Sequence, residues 1–140
     1  MIIIDTNVVS ELMRTSPDPA VLAWFAGLAA DTLFLTAISE AELRTGAAIL
    51  PAGQRRERLV GAIDAMIDQD FAGRILPFDS PAARSYAEIA AARRAAGKPI
   101  MDADCQIAAI ARACGATIAT RNVKDFEGCG IDIVNPWNDA

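Results

Sequence analysis

Apolar residues follow two rhythms along this chain. Short unbroken runs rich in β-branched residues, at 2–4, 32–36, 74–78, 116–120 and 131–134, predict strands buried on both faces. Between them the spacing turns helical. Leu59, Ile63, Met66, Ile67 and Phe71 recur at steps of four, three, one and four, which predicts one long helix over 54–71. Val21, Leu22, Trp24, Phe25 and Leu28 form a stripe on a helix starting at Asp18, and Ile107, Ile110 and Cys114 mark one face of a helix over 102–114. A helix opened by Ser80-Pro81 and stopped by Gly97 carries Ala83, Tyr86, Ile89 and Ala90 inward and Arg84, Glu88, Arg93 and Arg94 outward. Val8 to Met13 predicts a short helix with Asn7 as its N-cap, and Ser39-Glu40-Ala41-Glu42 opens another that Pro51-Ala52-Gly53 breaks.

Strands alternating with helices, without hairpin signals, predict a three-layer α/β/α fold around a mainly parallel five-stranded sheet. Right-handed crossovers then bring the strand ends carrying Asp5, Thr36 and Thr120 to one edge. The 140 residues, 53% hydrophobic, fit a single domain over 1–140.

Charge narrows the function. A net charge of −5 excludes affinity for nucleic acid resting on bulk positive charge, but not an enzyme whose carboxylates hold metal ions. His is absent, and Cys105, Cys129 and Cys114 match no zinc spacing, so they read as free thiols of a reducing compartment. The N-terminus enters a strand without a basic leader, and the longest uncharged stretch falls short of the ~20 residues that span a bilayer, so a cytoplasmic protein is expected.

Asp5, Glu42, Asp102 and Asp104 all stand at element boundaries. Each has a local explanation: Asp5 as a cap or turn residue, Ser39-x-x-Glu42 as a capping box, Asp102 as an N-cap, Asp104 in the helix dipole. Those roles are worth ~1 kcal/mol or less each. Two carboxylates ~4 Å apart repel by roughly 4 kcal/mol at an effective dielectric of 20, so gathering several on one edge calls for a cation. Oxygen ligands without His or Cys suit Mg²⁺ or Mn²⁺, and such a site activates water and neutralises a phosphodiester.

At this point the residues resemble a known family. Ile3-Ile4-Asp5-Thr6-Asn7-Val8-Val9-Ser10-Glu11, Ser39-Glu40-Ala41-Glu42-Leu43-Arg44, Asp104-Cys105-Gln106-Ile107-Ala108-Ala109, Ala119-Thr120-Arg121-Asn122 and the closing Asn135-Pro136-Trp137 resemble the PIN-domain ribonucleases of the VapC toxin type, in their FitB-like branch. The resemblance runs over essentially the whole chain. It implies a Mg²⁺-dependent endoribonuclease, with Mn²⁺ as an alternative ion, forming 5′-phosphate and 3′-hydroxyl products. Asp5, Glu42 and Asp104 become the catalytic metal ligands, and Thr6 and Thr120 hydroxyls lining the site. Asp102 becomes a cap or supporting group.

A fourth acid often follows the Thr-Arg pair in the family. Here that position is Asn122, with Asp125 as a substitute carboxylate. Arg44, Arg121 and Lys124 are the candidate contacts to RNA phosphates. The resemblance further implies a homodimer and a VapB-like antitoxin whose helix covers Leu12, Trp24, Phe25 and Leu28, with operator DNA reached only through the antitoxin. An alternative is a catalytically weak PIN domain that acts as a binding partner in that complex. An aspartyl-phosphate enzyme is disfavoured, because Asn7 stands where a second carboxylate is needed.

Overall fold

Strand β1 (Ile2–Ile4) is fully apolar and has a neighbour on each side, as a strand without polar alternation should. The structure, a computed structural model, describes residues 1–138 of the chain. Strands β2 (Leu33–Thr36), β3 (Ile75–Leu76), β4 (Thr117–Ala119) and β5 (Asp132–Val134) complete a five-stranded sheet in the order β3-β2-β1-β4-β5. Every pair is parallel, with Ile3 opposite Phe34 on one side and Ile118 on the other. All five predicted strands are present, β3 shortened to two residues.

The two faces of β1 feed two cores. Ile3 packs with Ile89 of α5 (Ser80–Ala95), Ile107 and Ile110 of α6 (Asp102–Cys114), and Phe126 of α7 (Val123–Phe126). Ile4, one residue on and facing the opposite way, packs with Val8 and Val9 of α1 (Thr6–Leu12) and Val21 of α2 (Pro19–Ala26). Helices α3 (Ala37–Ala48) and α4 (Gln54–Ala65) complete the set.

The predicted helix over 54–71 ends its α-helical part at Ala65 and continues as a π turn, Met66–Asp70. Residues five apart on an α-helix point about 140° from each other. The wider turn, closed by Phe71 N–H donating to Met66 O at 2.9 Å, lets both side chains enter the same core.

Chain order decides where the fold can bind anything. From β1 the chain moves outward to β2 and β3, then returns to lay β4 on the opposite side of β1. The carboxyl ends of β1 and β4 therefore flank the switch point at which open parallel sheets hold ligands. Among the described residues no helix is long and apolar enough to cross a membrane.

Several expectations need correction. Helix α1 is capped by Asp5, so Asn7 lies inside it. Asp79 rather than Ser80 caps α5, and Met101 rather than Asp102 precedes α6. Ala82 is buried and Ala83 exposed, while Tyr86, Ile89 and Ala90 face the core as expected. Cys114 is exposed, while Cys105 and Cys129 are buried free thiols. Arg93, expected outward, is only 9% exposed.

Candidate active site

Asp5 follows directly on β1, its own N–H donating to Ala119 O of β4 at 2.9 Å. Its side chain caps α1: Oδ1 accepts from Thr6 N–H at 2.8 Å. Oδ2 accepts from the Thr120 hydroxyl at 2.8 Å and from Asn7 Nδ2 at 3.2 Å. Thr120 is fully buried and also receives the Asn122 N–H at 3.1 Å. One hydroxyl thus ties the end of β4 to the carboxylate at the end of β1.

The predicted capping box does not form. Helix α3 begins at Ala37, and Thr36 takes the Ser39 N–H at 3.1 Å. Ser39 and Glu42 are thereby released from capping. Thr6 Oγ1 lies 2.9 Å from Ser39 Oγ and donates to Glu42 Oε1 at 2.8 Å. Thr6 accordingly serves two of the acids, Asp5 through its backbone and Glu42 through its hydroxyl.

Asp104 stands in the first turn of α6, on the same cleft as Asp5 and Glu42. That cleft, about 510 Å³, is also lined by Thr6, Asn7, Ser10, Glu11, Arg14, Arg121, Asn122 and Trp137. Burial first, then the charges of Asp5, Asp125 and Glu42, push the Asp104 carboxyl up to about 6, with Arg93 opposing them. Asp5 is raised as well, by burial above all, against the hydrogen bonds from Thr120 and Thr6. Asp102 lies outside this group, its Oδ1 accepting from the Tyr86 hydroxyl at 2.9 Å.

The donor set is all oxygen, with neither imidazole nor thiolate, and burial followed by neighbouring negative charge disfavours the bare carboxylates of Asp5 and Asp104. That chemistry fits a hard divalent cation. Among the described residues no three acidic, His or Cys side chains form a ready-made cage, so Asp5, Glu42 and Asp104 share a cleft without meeting at ligation distance.

Burial and like-charge crowding at Asp104 leave a trace in stability. The folded state holds the Asp104 proton more tightly than the unfolded chain, whose pKa is near 3.8. The stability this group contributes is therefore complete below that value and lost as pH rises toward about 6. In EDTA, Asp104→Asn is expected to gain on the wild type in melting temperature from about pH 4 to about pH 7, by calorimetry. An unchanged difference across that range would contradict the burial and crowding of the Asp104 carboxyl.

The cationic candidates separate clearly. Arg121 lines the cleft, its guanidinium 4.9 Å from the Trp137 ring centroid. Arg44 instead pairs with Glu40 and Asp64, both at 2.8 Å, and Lys124 is exposed on α7 outside the cleft lining. Asp125, also exposed on α7, acts on Asp5 and Asp104 through its charge.

Two participants were not foreseen. Glu11, 6% exposed, accepts from Arg14 Nη1 at 3.2 Å and from Asp18 N–H at 3.1 Å, fastening the α1–α2 connection beside the cleft. Asn7, Glu11 and Arg14 follow at helical spacing, a signal that was legible. Arg93 donates to Lys98 O at 2.7 Å and to Asp125 O and Glu127 O at 2.9 Å each. No pattern of apolar residues announces that role.

A larger groove, about 1730 Å³, is lined by Leu12, Leu22 and Phe25 from α1 and α2, and by Leu59, Met66 and Phe71. Arg14, Arg55, Arg58 and Arg74 line it too, with Asp70 its single acid. Size therefore does not locate the chemistry, because the carboxylates occupy the smaller cleft. Arg14 belongs to the walls of both. Trp24 and Leu28 pack onto the core beside Ile4 instead.

Fold and cleft together define a three-layer parallel α/β protein with an acidic cleft at its switch point. The chain belongs to the PIN domain family, whose model matches residues 2–127. VapC ribonuclease Y4jK of Sinorhizobium fredii is 49% identical over 140 residues, all of both chains. Toxin FitB of Neisseria gonorrhoeae is 42% identical over 139 residues, 99% of this chain and 100% of the other. Among solved structures, FitAB bound to an IR36 DNA fragment superposes with a TM-score of 0.92 at 41% identity, covering 99% of this chain and 96% of that one.

Proposed function

We propose that this chain is a single-domain, divalent-metal-dependent endoribonuclease, the toxin of a toxin–antitoxin pair. The observation that carries the reading is the convergence of Asp5, Glu42 and Asp104, from three separate elements, on one cleft at the switch point. These carboxylates would hold the ion, Mg²⁺ or Mn²⁺. When bound, such an ion supplies an acidified water and a positive charge against the scissile phosphodiester. The chain's own residues prepare the site for it. Thr6 and Thr120 orient Asp5 and favour its charged form, and Thr6 holds Glu42. Asn122 offers an uncharged amide where a fourth carboxylate would add repulsion, and Arg121 is placed to meet a phosphate oxygen.

The arginine-lined apolar groove suits a partner segment carrying apolar and acidic side chains, the role we assign to the antitoxin. Because Arg14 lines both concavities, a segment filling the groove arrives at the rim of the cleft. Operator DNA would be reached through that partner, and the toxin itself would pair as a homodimer. A second reading, a catalytically weak chain acting only inside the complex, is favoured by Asn122 alone.

Protein purified away from any partner is expected to cut single-stranded RNA with Mg²⁺ or Mn²⁺ and to stop in EDTA, read on denaturing gels. No cleavage with either ion would sink the enzymatic reading and leave the second.

A further inference from the structure

The cleft has an electrostatic difficulty that its carboxylates do not solve. Asp5, Glu42 and Asp104 repel the phosphates of any nucleic acid, and the chain carries a net charge of −5. Beyond the one phosphate that a bound ion would meet, binding energy for RNA must come from a contact indifferent to charge, or from a protein cation not already spent. Arg14 is spent on Glu11, and Arg44 on Glu40 and Asp64. Among the described residues Arg121 has no carboxylate within ion-pairing distance, and its guanidinium lies instead over the indole of Trp137.

Trp137 is built as a fixed platform. Its backbone N–H donates to Asn135 Oδ1 at 3.0 Å, and the Asn138 N–H donates to Asn135 O at 3.0 Å, closing a tight turn around the tryptophan backbone. The indole is half-buried, one part packed on the core that contains Ile4 and the rest lining the cleft beside Asn122 and Arg121. The Arg121 backbone is held in turn by Asn7 Oδ1, which accepts its N–H at 3.3 Å. An anchored aromatic surface and an unpaired guanidinium thus border the acidic cleft together. Stacking on an aromatic ring is the sequence-tolerant contact by which proteins hold single-stranded nucleic acid, and arginine adds to it.

We propose that Trp137 and Arg121 form a nucleotide-docking site. Arg121 swings off the indole to take a nucleotide's phosphate, and Trp137 stacks that nucleotide's base, next to the scissile phosphate of single-stranded RNA. The inference rests on the ribonuclease reading and assigns the substrate contact that reading lacks.

The test uses the full chain carrying Trp24→Phe, which leaves Trp137 as its sole indole. Its fluorescence is titrated with a short mixed-sequence single-stranded RNA, with Ca²⁺ replacing Mg²⁺, and with an abasic strand of equal phosphate number. RNA is expected to quench Trp137 and the abasic strand is not. In an otherwise wild-type chain, Trp137→Leu should weaken RNA binding by about tenfold to a hundredfold, raising KM while leaving kcat at saturation. Trp137→Phe should retain affinity within about threefold, since a phenyl ring still stacks. Arg121→Ala should weaken both strands and flatten the salt dependence by about one charge.

Melting curves identify any variant that fails to fold, and the quenching experiment needs neither Trp137 variant. Equal quenching by the abasic strand, or an unchanged affinity in folded Trp137→Leu, overturns the proposal. The two readings fail separately: RNA that stacks but is never cut refutes the enzyme, whereas cutting unaffected by loss of Trp137 refutes only the docking site.

Discussion

Replacing Asp5 by asparagine is expected to lower RNA cleavage by about a hundredfold or more while leaving the melting temperature in EDTA no lower than that of the wild type. The two halves of this result have separate causes. Asparagine is as good an N-cap as aspartate, so its Oδ1 can keep the Thr6 N–H bond that starts α1. The Thr120 hydroxyl, which already accepts from Asn122 N–H and Asn7 Nδ2, loses its acceptor, and the Asn7 amide comes to face another amide.

Against those two lost contacts stands relief from burying a charge, since burial is the main cause pushing the Asp5 carboxyl up. Function responds in the opposite direction. A cation held by carboxylates contributes several kcal/mol to a phosphodiester transition state, and each 1.4 kcal/mol is a factor of ten in rate. Cleavage assays paired with thermal melts decide the matter. Wild-type activity in Asp5→Asn would remove Asp5 from the proposed metal site.

Arg93→Met is expected to destabilise the fold by about 3 kcal/mol, a fall of roughly 10 °C in melting temperature for a chain of this size. Methionine fills much of the volume but makes none of the hydrogen bonds. The carbonyls of Lys98, Asp125 and Glu127 lose their donor together. Charge-assisted bonds contribute about 1.5–3 kcal/mol each, though their losses do not add when they share one side chain. Arg93→Lys keeps the charge without the planar fork and should fall between the two. A drop of less than about 3 °C in Arg93→Met, by calorimetry, would mean that other contacts hold the 98 and 125–129 segments.

The helix starts show how far local chemistry reaches. Each of three helices has two cap-competent residues in close succession at its start: Asp5 and Asn7, Thr36 and Ser39, Asp79 and Ser80. In every case the chain uses the earlier one. After β1 and β2 the reason is plain. The helix begins as soon as the strand ends, so the residue leaving the sheet is the cap. This small shift changes the meaning of Glu42. Had Ser39 capped α3, Glu42 would have been spent on the backbone. Because Thr36 takes that place, Glu42 faces Thr6 and the cleft.

Arg93 escaped for a different reason. A helix face is read from its apolar residues, whereas Arg93 is buried by the carbonyls of segments 98 and 125–129, which lie close only after folding. Glu11 and Trp137 belong with it. Both stand in motifs visible in the chain, but what they touch is decided by the α1–α2 connection and by the return of the chain end to the core of Ile4.

A parallel α/β fold with its acids at element boundaries could be read along the chain, because unbroken β-branched runs and 3.6-residue spacing are local properties. Asp5 was legible because a fully apolar strand that stops in a carboxylate has few other readings. Chain return, by contrast, decides how those acids are held and which of the candidate cations stay unpaired. Placing β1 between β2 and β4 sets Asp5 against Thr120, more than a hundred residues away in the chain. The same packing gives Arg44 to Glu40 and Asp64 while leaving Arg121 on Trp137. Pairings between distant residues are made by chain return, and no local pattern encodes them.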